Sequence, residues 1–202
     1  MSETIGLCFG GSFNPVHLGH LICARHVAEA RGFGRVRLIP SRLNPHKEAD
    51  ASVAGAEHRL AMARLAVADD ELFVVDDLEI QRPGPSYTLR TVRALRERFG
   101  GPIDWLIGAD LLPGLSSWFG YPELLSEITF HVMHRPGYEI EASRLPPEVA
   151  DLARRNLVEA PAVDISATLI RERIAQGRDV RYLTPDAVSC YIVREGLYQA
   201  SR

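Results

Sequence analysis

Residues 5–31 read IGLCFGGSFNPVHLGHLICARHVAEAR, and this stretch decides the fold class. The apolar run over residues 5–9 predicts a buried strand, two glycines follow it, and a helical pattern runs from His17 to Arg31. A strand, a glycine-rich loop and a helix in this order are typical of the first unit of a parallel sheet, because parallel neighbours need crossover connections.

The same alternation continues along the chain. Apolar runs predict strands over residues 36–39, 72–75, 103–107 and 130–133, and helical spacing predicts helices over residues 56–68, 88–99, 122–125, 166–176 and 185–195. Pro146, Pro147 and Pro161 are expected to break regular structure after Arg144. The sequence therefore predicts an α/β fold in a single domain over residues 1–202. It is a Rossmann-like, doubly wound, mainly parallel sheet with helices on both faces and a C-terminal helical segment.

Composition excludes several classes of protein. Lys and Arg number 23 against 26 Asp and Glu, so the chain lacks the overall basic field of a nucleic-acid-binding protein. No window approaches the roughly 18 apolar residues of a membrane span, and the N-terminus lacks a basic leader, so we expect a cytoplasmic protein without membrane contact. Cys8, Cys23 and Cys190 are too few and too scattered for a disulfide framework, and we expect all three to be buried.

The loop after the first strand carries the strongest functional signal. Gly10 and Gly11 let backbone amides approach a ligand, and the following helix presents its positive end, which favours an anion. His17 and His20 are three residues apart, so both imidazoles are expected on one face beside this loop. A plain packing turn and a metal site are the alternatives. We predict no metal site, because no third ligand is spaced nearby.

Four further clusters follow other predicted strands or open helices. Asn44-Pro45-His46-Lys47 lies past the second strand, and Gly84-Pro85-Ser86-Tyr87-Thr88 opens a helix for which Ser86 is the expected N-cap. Gly108-Ala109-Asp110 ends a strand ahead of Trp118-Phe119, which we place in a loop, and Asp164 or Ser166 is expected to cap a helix that carries Thr168 and Arg171. Each cluster alone has an ordinary structural explanation as a loop, a cap or core packing.

Together these clusters resemble a known family. GGSFNPVHLGH resembles the signature of nucleotidyltransferases that carry an HxGH motif, and NPHK, GPSYT, GAD and ISATLIR follow in the order found in bacterial nicotinate-nucleotide adenylyltransferases. The resemblance runs from Gly10 to about Tyr198. Asn44, Arg90 and Ala167 depart from it, since Pro, Asp and Ser commonly stand at these positions; Arg90 puts in doubt any role of that acidic side chain.

The resemblance implies transfer of an adenylyl group from ATP to nicotinate mononucleotide, which yields nicotinate adenine dinucleotide and pyrophosphate in NAD biosynthesis. It implies that His17, His20 and Arg171 contact the triphosphate. It assigns ATP binding to Gly10, Gly11, Ser12, Phe13, Gly108, Asp110, Ile165 and Ser166, and nicotinate mononucleotide binding to Lys47, Thr88, Trp118, Phe119 and Arg135. Mg2+ is expected to arrive with ATP, held by phosphates and water.

Two other readings stay open at this point. The same chemistry on nicotinamide mononucleotide or another phosphate acceptor would use the same loops, because a sequence does not show where a backbone amide points. A non-catalytic nucleotide-binding module would also keep the fold. Retention of His17, His20, Lys47 and Arg171 favours the enzyme. Whether the chain forms a homo-oligomer is left open.

Overall fold

The computed structural model describes residues 4–45, 52–134 and 144–200. The strands in these ranges are β1 (Leu7–Gly11), β2 (Val36–Pro40), β3 (Phe73–Val75), β4 (Ile103–Gly108), β5 (Ile128–His134) and β6 (Leu157–Glu159). The helices are α1 (Leu18–Arg31), α2 (Ala56–Ala66), α3 (Leu78–Gln81), α4 (Thr88–Phe99), α5 (Tyr121–Glu127), α6 (Pro147–Asn156), α7 (Ala167–Ala175) and α8 (Asp186–Arg194). A 3-10 helix covers Ala109–Ser117.

Alternate residues of the strands build two cores on opposite faces of the sheet. Leu7 and Phe9 of β1 pack in the core that α1, α2 and α8 complete, whereas Cys8 packs in the core of α4, α5 and α6. Burial raises the pKa of the Cys8 thiol to about 12, so this side chain behaves as a small apolar residue. The predicted α/β sheet with helices on both faces is confirmed.

The strand order places the carboxyl ends of β1 and β4 side by side. The described strands form one sheet in the order β3-β2-β1-β4-β5-β6, and every pairing is parallel. Successive strands are added outward from β1 to β3 on one side of the sheet and from β4 to β6 on the other. The order therefore switches between β1 and β4, and open α/β sheets bind ligands in the crevice at such a switch point. The loops that follow β1 and β4 therefore meet at one edge of the sheet.

Several elements differ from the sequence predictions. The predicted break at Pro147 is wrong, because Pro147 is the first residue of α6, where a missing N–H costs nothing. The sixth strand, β6, and the short α3 were not predicted, since three or four residues give no periodic signal. Trp118 and Phe119 lie outside any helix or strand, as predicted, but the residues before them form a 3-10 helix. Cys190 is exposed, which contradicts its predicted burial.

Candidate functional site

A cleft of about 700 Å³ opens where the loops after β1 and β4 meet. It brings together residues that are far apart in the sequence and were predicted to act together. The predicted residues that line it are Gly10, Gly11, Ser12, Phe13, His17, His20, Thr88, Gly108, Asp110, Trp118, Phe119, Ile165, Ser166 and Arg171. Lys47 and Arg135 lie outside the described residues.

The two histidines cap the first turn of α1 reciprocally. His17 precedes the helix, and its Nδ1 accepts the backbone N–H of His20 at 3.3 Å. In return, His20 Nδ1 accepts the backbone N–H of His17 at 3.2 Å, and the rings stack with centroids 3.6 Å apart. Because each Nδ1 is an acceptor, the ring proton lies on Nε2 in both residues. The pair therefore carries its N–H donors on the Nε2 atoms.

Aromatic packing fixes the His20 ring from the other side. Phe13 is 2% exposed. Its backbone φ is +46°, a value that residues other than glycine rarely adopt. Its ring lies edge-on to His20, with centroids 5.2 Å apart, and edge-on to Phe9 at 5.5 Å. Burial of the Phe13 ring holds the loop in this conformation and leaves His20 little freedom to turn.

Gly19 allows the start of α1 to approach the segment before α7. A Cβ atom at Gly19 would lie 3.1 Å from His17 Nδ1 and 3.3 Å from the carbonyl oxygen of Ile165. Both separations are tighter than ordinary carbon contacts. The glycine between the two histidines therefore permits the close approach that brings the HxGH segment beside the segment before α7.

Arg171 connects α7 to the loop after β1. Its Nη1 donates to the carbonyl oxygen of Asn14 at 3.0 Å, and its Nη2 donates to Thr168 Oγ1 at 3.3 Å. Ser166 is the N-cap of α7, as predicted, because its Oγ accepts the backbone N–H of Leu169 at 3.1 Å. The N-terminal end of α7 and a guanidinium therefore face the cleft together.

A second part of the cleft lining, here called the aromatic wall, consists of Tyr87, Thr88, Trp118 and Phe119. The rings of Tyr87 and Phe119 have centroids 4.7 Å apart and an interplanar angle of 33°. Trp118 is half-buried and packs edge-on against Phe130 of β5 at 6.5 Å. A planar ligand ring would find flat apolar surfaces here.

Comparison with known proteins fits this geometry. Residues 8–173 match the model of the cytidylyltransferase-like family. The chain is 44% identical to a protein of Roseiflexus sp. (strain RS-1) named as a probable nicotinate-nucleotide adenylyltransferase, over 98% of this chain and 99% of the relative. A protein of Aeromonas salmonicida (strain A449) with the same name is 41% identical, over 99% of each chain.

The chain belongs to the nicotinate-nucleotide adenylyltransferase family. This confirms the resemblance drawn from the sequence motifs. The fold also resembles a solved structure of the Plasmodium falciparum nicotinic acid mononucleotide adenylyltransferase complexed with NaAD. That likeness has a TM-score of 0.78 at 18% identity and covers 95% of this chain and 96% of the other.

Asn14 connects the loop after β1 to two other segments by side-chain hydrogen bonds in this member of the nicotinate-nucleotide adenylyltransferase family. It is buried, its Nδ2 donates to the carbonyl oxygen of Ser52, and its Oδ1 accepts the backbone N–H of Ala54 at 2.9 Å. The same Oδ1 accepts the Tyr198 hydroxyl at 2.8 Å. Burial raises the pKa of Tyr198, so the hydroxyl keeps the proton that it donates. The C-terminal segment thereby supports the loop.

Arg59 of α2 carries no motif signal, yet it fixes the same region. The side chain is 2% exposed, and its guanidinium donates to four backbone carbonyl oxygens. The acceptors are Ala54 at 2.9 Å, Ser12 at 2.8 Å, Ser41 at 2.6 Å and Arg42 at 2.8 Å. A single cation therefore ties the loop after β1 to the loop after β2.

Glu79 of α3 also lines the cleft and contacts the start of α4. It is buried, its Oε1 accepts the Thr91 hydroxyl at 2.6 Å, and the Ser86 hydroxyl also hydrogen-bonds the carboxylate. Burial raises the pKa of Glu79. The predicted N-cap role of Ser86 is wrong, because the N-cap of α4 is Tyr87 and Ser86 Oγ instead accepts the backbone N–H of Arg42 at 2.9 Å.

The three departures from the family pattern all lie at or beside the cleft. Asn44 lines it, and its Nδ2 donates to Ser12 Oγ at 3.3 Å. Ala167 lines it as the first residue of α7. Arg90 does not line it but lies over the rings of Tyr87 and Phe119, which do.

The part of the chain that the structure describes holds neither a metal cluster nor a membrane-spanning helix. Within residues 4–45, 52–134 and 144–200, no three His, Cys, Asp or Glu side chains are grouped to hold a metal ion. Across those same ranges, no helix is both long and apolar enough to span a membrane.

Proposed function

We propose that this protein transfers the adenylyl group of ATP to nicotinate mononucleotide, which yields nicotinate adenine dinucleotide and pyrophosphate in NAD biosynthesis. The observation that carries the proposal is one cleft with two chemically different sides. His17, His20 and Arg171 belong to one part of the lining, here called the α1 side, and the aromatic wall is the other. The names of the Roseiflexus and Aeromonas relatives support the same substrate class.

The α1 side would bind ATP. The Nε2–H groups of His17 and His20 and the guanidinium of Arg171 would donate to the triphosphate. Gly10, Gly11, Ser12, Phe13 and Ser166 would shape and line the phosphate site. Gly108, Asp110 and Ile165 would line the adenosine site, where the Asp110 carboxylate would accept hydrogen bonds from the ribose hydroxyls.

The aromatic wall would bind the acceptor. Trp118 would stack on the pyridine ring, and the backbone N–H groups of Thr88 and Phe119 would receive its carboxylate. Lys47 and Arg135 are proposed around the acceptor phosphate as partners of opposite charge. This arrangement favours the acid over the amide, because an amide nitrogen cannot accept these hydrogen bonds.

The reaction needs positioning and charge neutralisation more than proton transfer. An oxygen of the acceptor phosphate attacks the α-phosphorus of ATP and forms a new P–O bond, while the bond to the β-phosphate oxygen breaks and pyrophosphate leaves with the electron pair. The attacking oxygen is already ionised near neutral pH, so no general base is required. His17, His20 and Arg171 would stabilise the negative charge that develops on pyrophosphate.

Mg2+ would arrive with ATP, held by the phosphates and by water rather than by protein ligands. Bound in this way, it would neutralise charge on the polyphosphate. The chain's own contribution would be the hydrogen bonds from His17, His20 and Arg171 that orient the phosphates.

Incubation of the purified protein with ATP, Mg2+ and nicotinate mononucleotide tests the proposal. We expect pyrophosphate and nicotinate adenine dinucleotide in equal amounts, and no pyrophosphate when the acceptor is left out. Pyrophosphate release that does not depend on the acceptor, or ATP binding without release, would contradict it.

A further inference from the structure

Arg90 occupies an unusual position behind the aromatic wall. It lies in the first turn of α4, and its Cζ is 5.1 Å from the ring centroid of Tyr87 and 5.4 Å from that of Phe119. Both rings line the cleft, and Phe119 is 50% exposed. One guanidinium therefore touches two of the three aromatic rings of the wall, Tyr87 and Phe119, and does not itself line the cleft.

Neither helix electrostatics nor ion pairing explains this placement. An Arg in the first turn of a helix faces the positive end of the helix dipole, which is unfavourable. No carboxylate among the described residues forms an ion pair with Arg90. What the residue does contact is two electron-rich ring faces, which attract a cation.

The wall also depends on a close approach between the backbone of Gly120 and the side chain of Leu89. Gly120 has a φ of +67°, and a Cβ atom there would overlap Leu89 Cδ2 of α4. The segment that carries Phe119 is thereby laid against the first turn of α4, next to Thr88. The half-exposed Phe119 ring has little core packing of its own, so its contacts with Tyr87 and Arg90 fix its place.

We propose that Arg90 is a positioning residue for the pyridine mononucleotide acceptor, which holds the rings of Tyr87 and Phe119 together and so fixes the backbone N–H of Phe119 beside that of Thr88. This inference rests on the proposed function, because it assigns the wall to the acceptor. Arg90 touches none of His17, His20 and Arg171, so its loss weakens acceptor binding and leaves the ATP side unchanged.

Steady-state kinetics of Arg90→Ala test this role. We expect the KM for nicotinate mononucleotide to rise about threefold to tenfold, the effect of losing one or two exposed cation–ring contacts, with kcat and the KM for ATP unchanged. Arg90→Lys keeps the charge but loses the flat stacking surface, so we expect an intermediate KM. Arg93→Ala is the matched control, because it removes the same charge from the same helix and touches neither ring.

Thermal unfolding separates positioning from general damage. Removal of a cation from the first turn of α4 relieves its repulsion by the helix dipole, which offsets the loss of the cation–ring contacts, so Arg90→Ala is expected to have a Tm close to that of the wild type. A lower Tm together with a parallel rise in the KM for ATP would overturn the proposal, since it would show a loss of structure.

A double-mutant cycle identifies the ring through which Arg90 acts. Phe119→Ala keeps its backbone N–H but removes the ring, so the KM increases of Arg90→Ala and Phe119→Ala should not multiply in the double variant. Fully multiplicative effects would overturn the role of Arg90. So would an unchanged KM for nicotinate mononucleotide in Arg90→Ala, and in both cases an active wild type leaves the proposed function standing. A wild type that is inactive with both mononucleotides would overturn the proposed function and this role with it.

Discussion

The two sides of the cleft are built in different ways. The α1 side is held by directional hydrogen bonds from distant parts of the chain, with Asn14 and Arg59 as buried hubs. The aromatic wall is held mainly by ring contacts and the close approach at Gly120. Hydrogen-bond networks fix atoms more tightly than ring packing does. The proposed function accordingly assigns transition-state stabilisation to the α1 side and acceptor selection to the wall.

The largest expected effect comes from removal of a charge-stabilising donor on the α1 side. His20→Ala should lower kcat by roughly 100-fold or more, which corresponds to about 3 kcal/mol of transition-state stabilisation. His26→Ala on the same helix does not line the cleft and serves as the control. An unchanged kcat/KM in His20→Ala would remove the histidine pair from the proposed mechanism.

Replacement of Arg59 tests whether its four hydrogen bonds stabilise the loops after β1 and β2. Arg59→Lys keeps the charge, but its single ammonium group does not reach four carbonyl oxygens, so we expect the free energy of unfolding to fall by about 2 kcal/mol and kcat to fall with it. Urea unfolding measures the first effect. Arg64→Lys, on the exposed side of α2, should stay within about 0.5 kcal/mol of the wild type. Equal stability of the two variants would show that the four bonds do not hold the loops.

Gly120→Ala perturbs the wall without touching the α1 side. Its positive φ and its approach to Leu89 should cost about 1 to 2 kcal/mol of stability and raise the KM for nicotinate mononucleotide, with the KM for ATP unchanged. Gly34→Ala meets open space and is the control. If both KM values rose together, the two sides would not be separable as described.

The smallest expected effect is a pH dependence of stability that arises at Glu79. Burial raises its folded pKa above the ordinary value of 4.5, so the carboxyl ionises less readily in the fold than in the unfolded chain. Wild-type stability therefore falls, relative to Glu79→Gln, as pH rises from about 4.5 through the raised pKa. Urea midpoints measured between pH 4.5 and 8 would show this, and Glu97→Gln on the exposed face of α4 should show no such trend. A constant difference between wild type and Glu79→Gln would contradict it.

Most of the fold and the lining of the cleft follow from the sequence. Strands such as β1 and β4 are apolar runs, and motifs at their ends mark the loops that meet. Short elements such as β6 have too few residues to give a periodic pattern in the sequence. Arg59 and Glu79 look like ordinary polar residues of helices, because only the tertiary structure shows that they are buried.

The position of Arg90 illustrates a second limit of sequence analysis. The sequence places it in the first turn of the predicted helix over residues 88–99 and marks it as a departure from the family pattern. Its contact with Phe119 depends on the approach of a segment 29 residues further along the chain, which brings the two within 5.4 Å. Helical spacing contains no information on such a contact.

A competition assay tests the central claim most directly. The wild type would receive ATP, Mg2+ and equal concentrations of nicotinate mononucleotide and nicotinamide mononucleotide, and the two dinucleotide products would be separated and quantified. The account predicts that nicotinate adenine dinucleotide is by far the major product, with one pyrophosphate released for each molecule formed. Equal amounts of the two products would contradict selection of the acid by the aromatic wall.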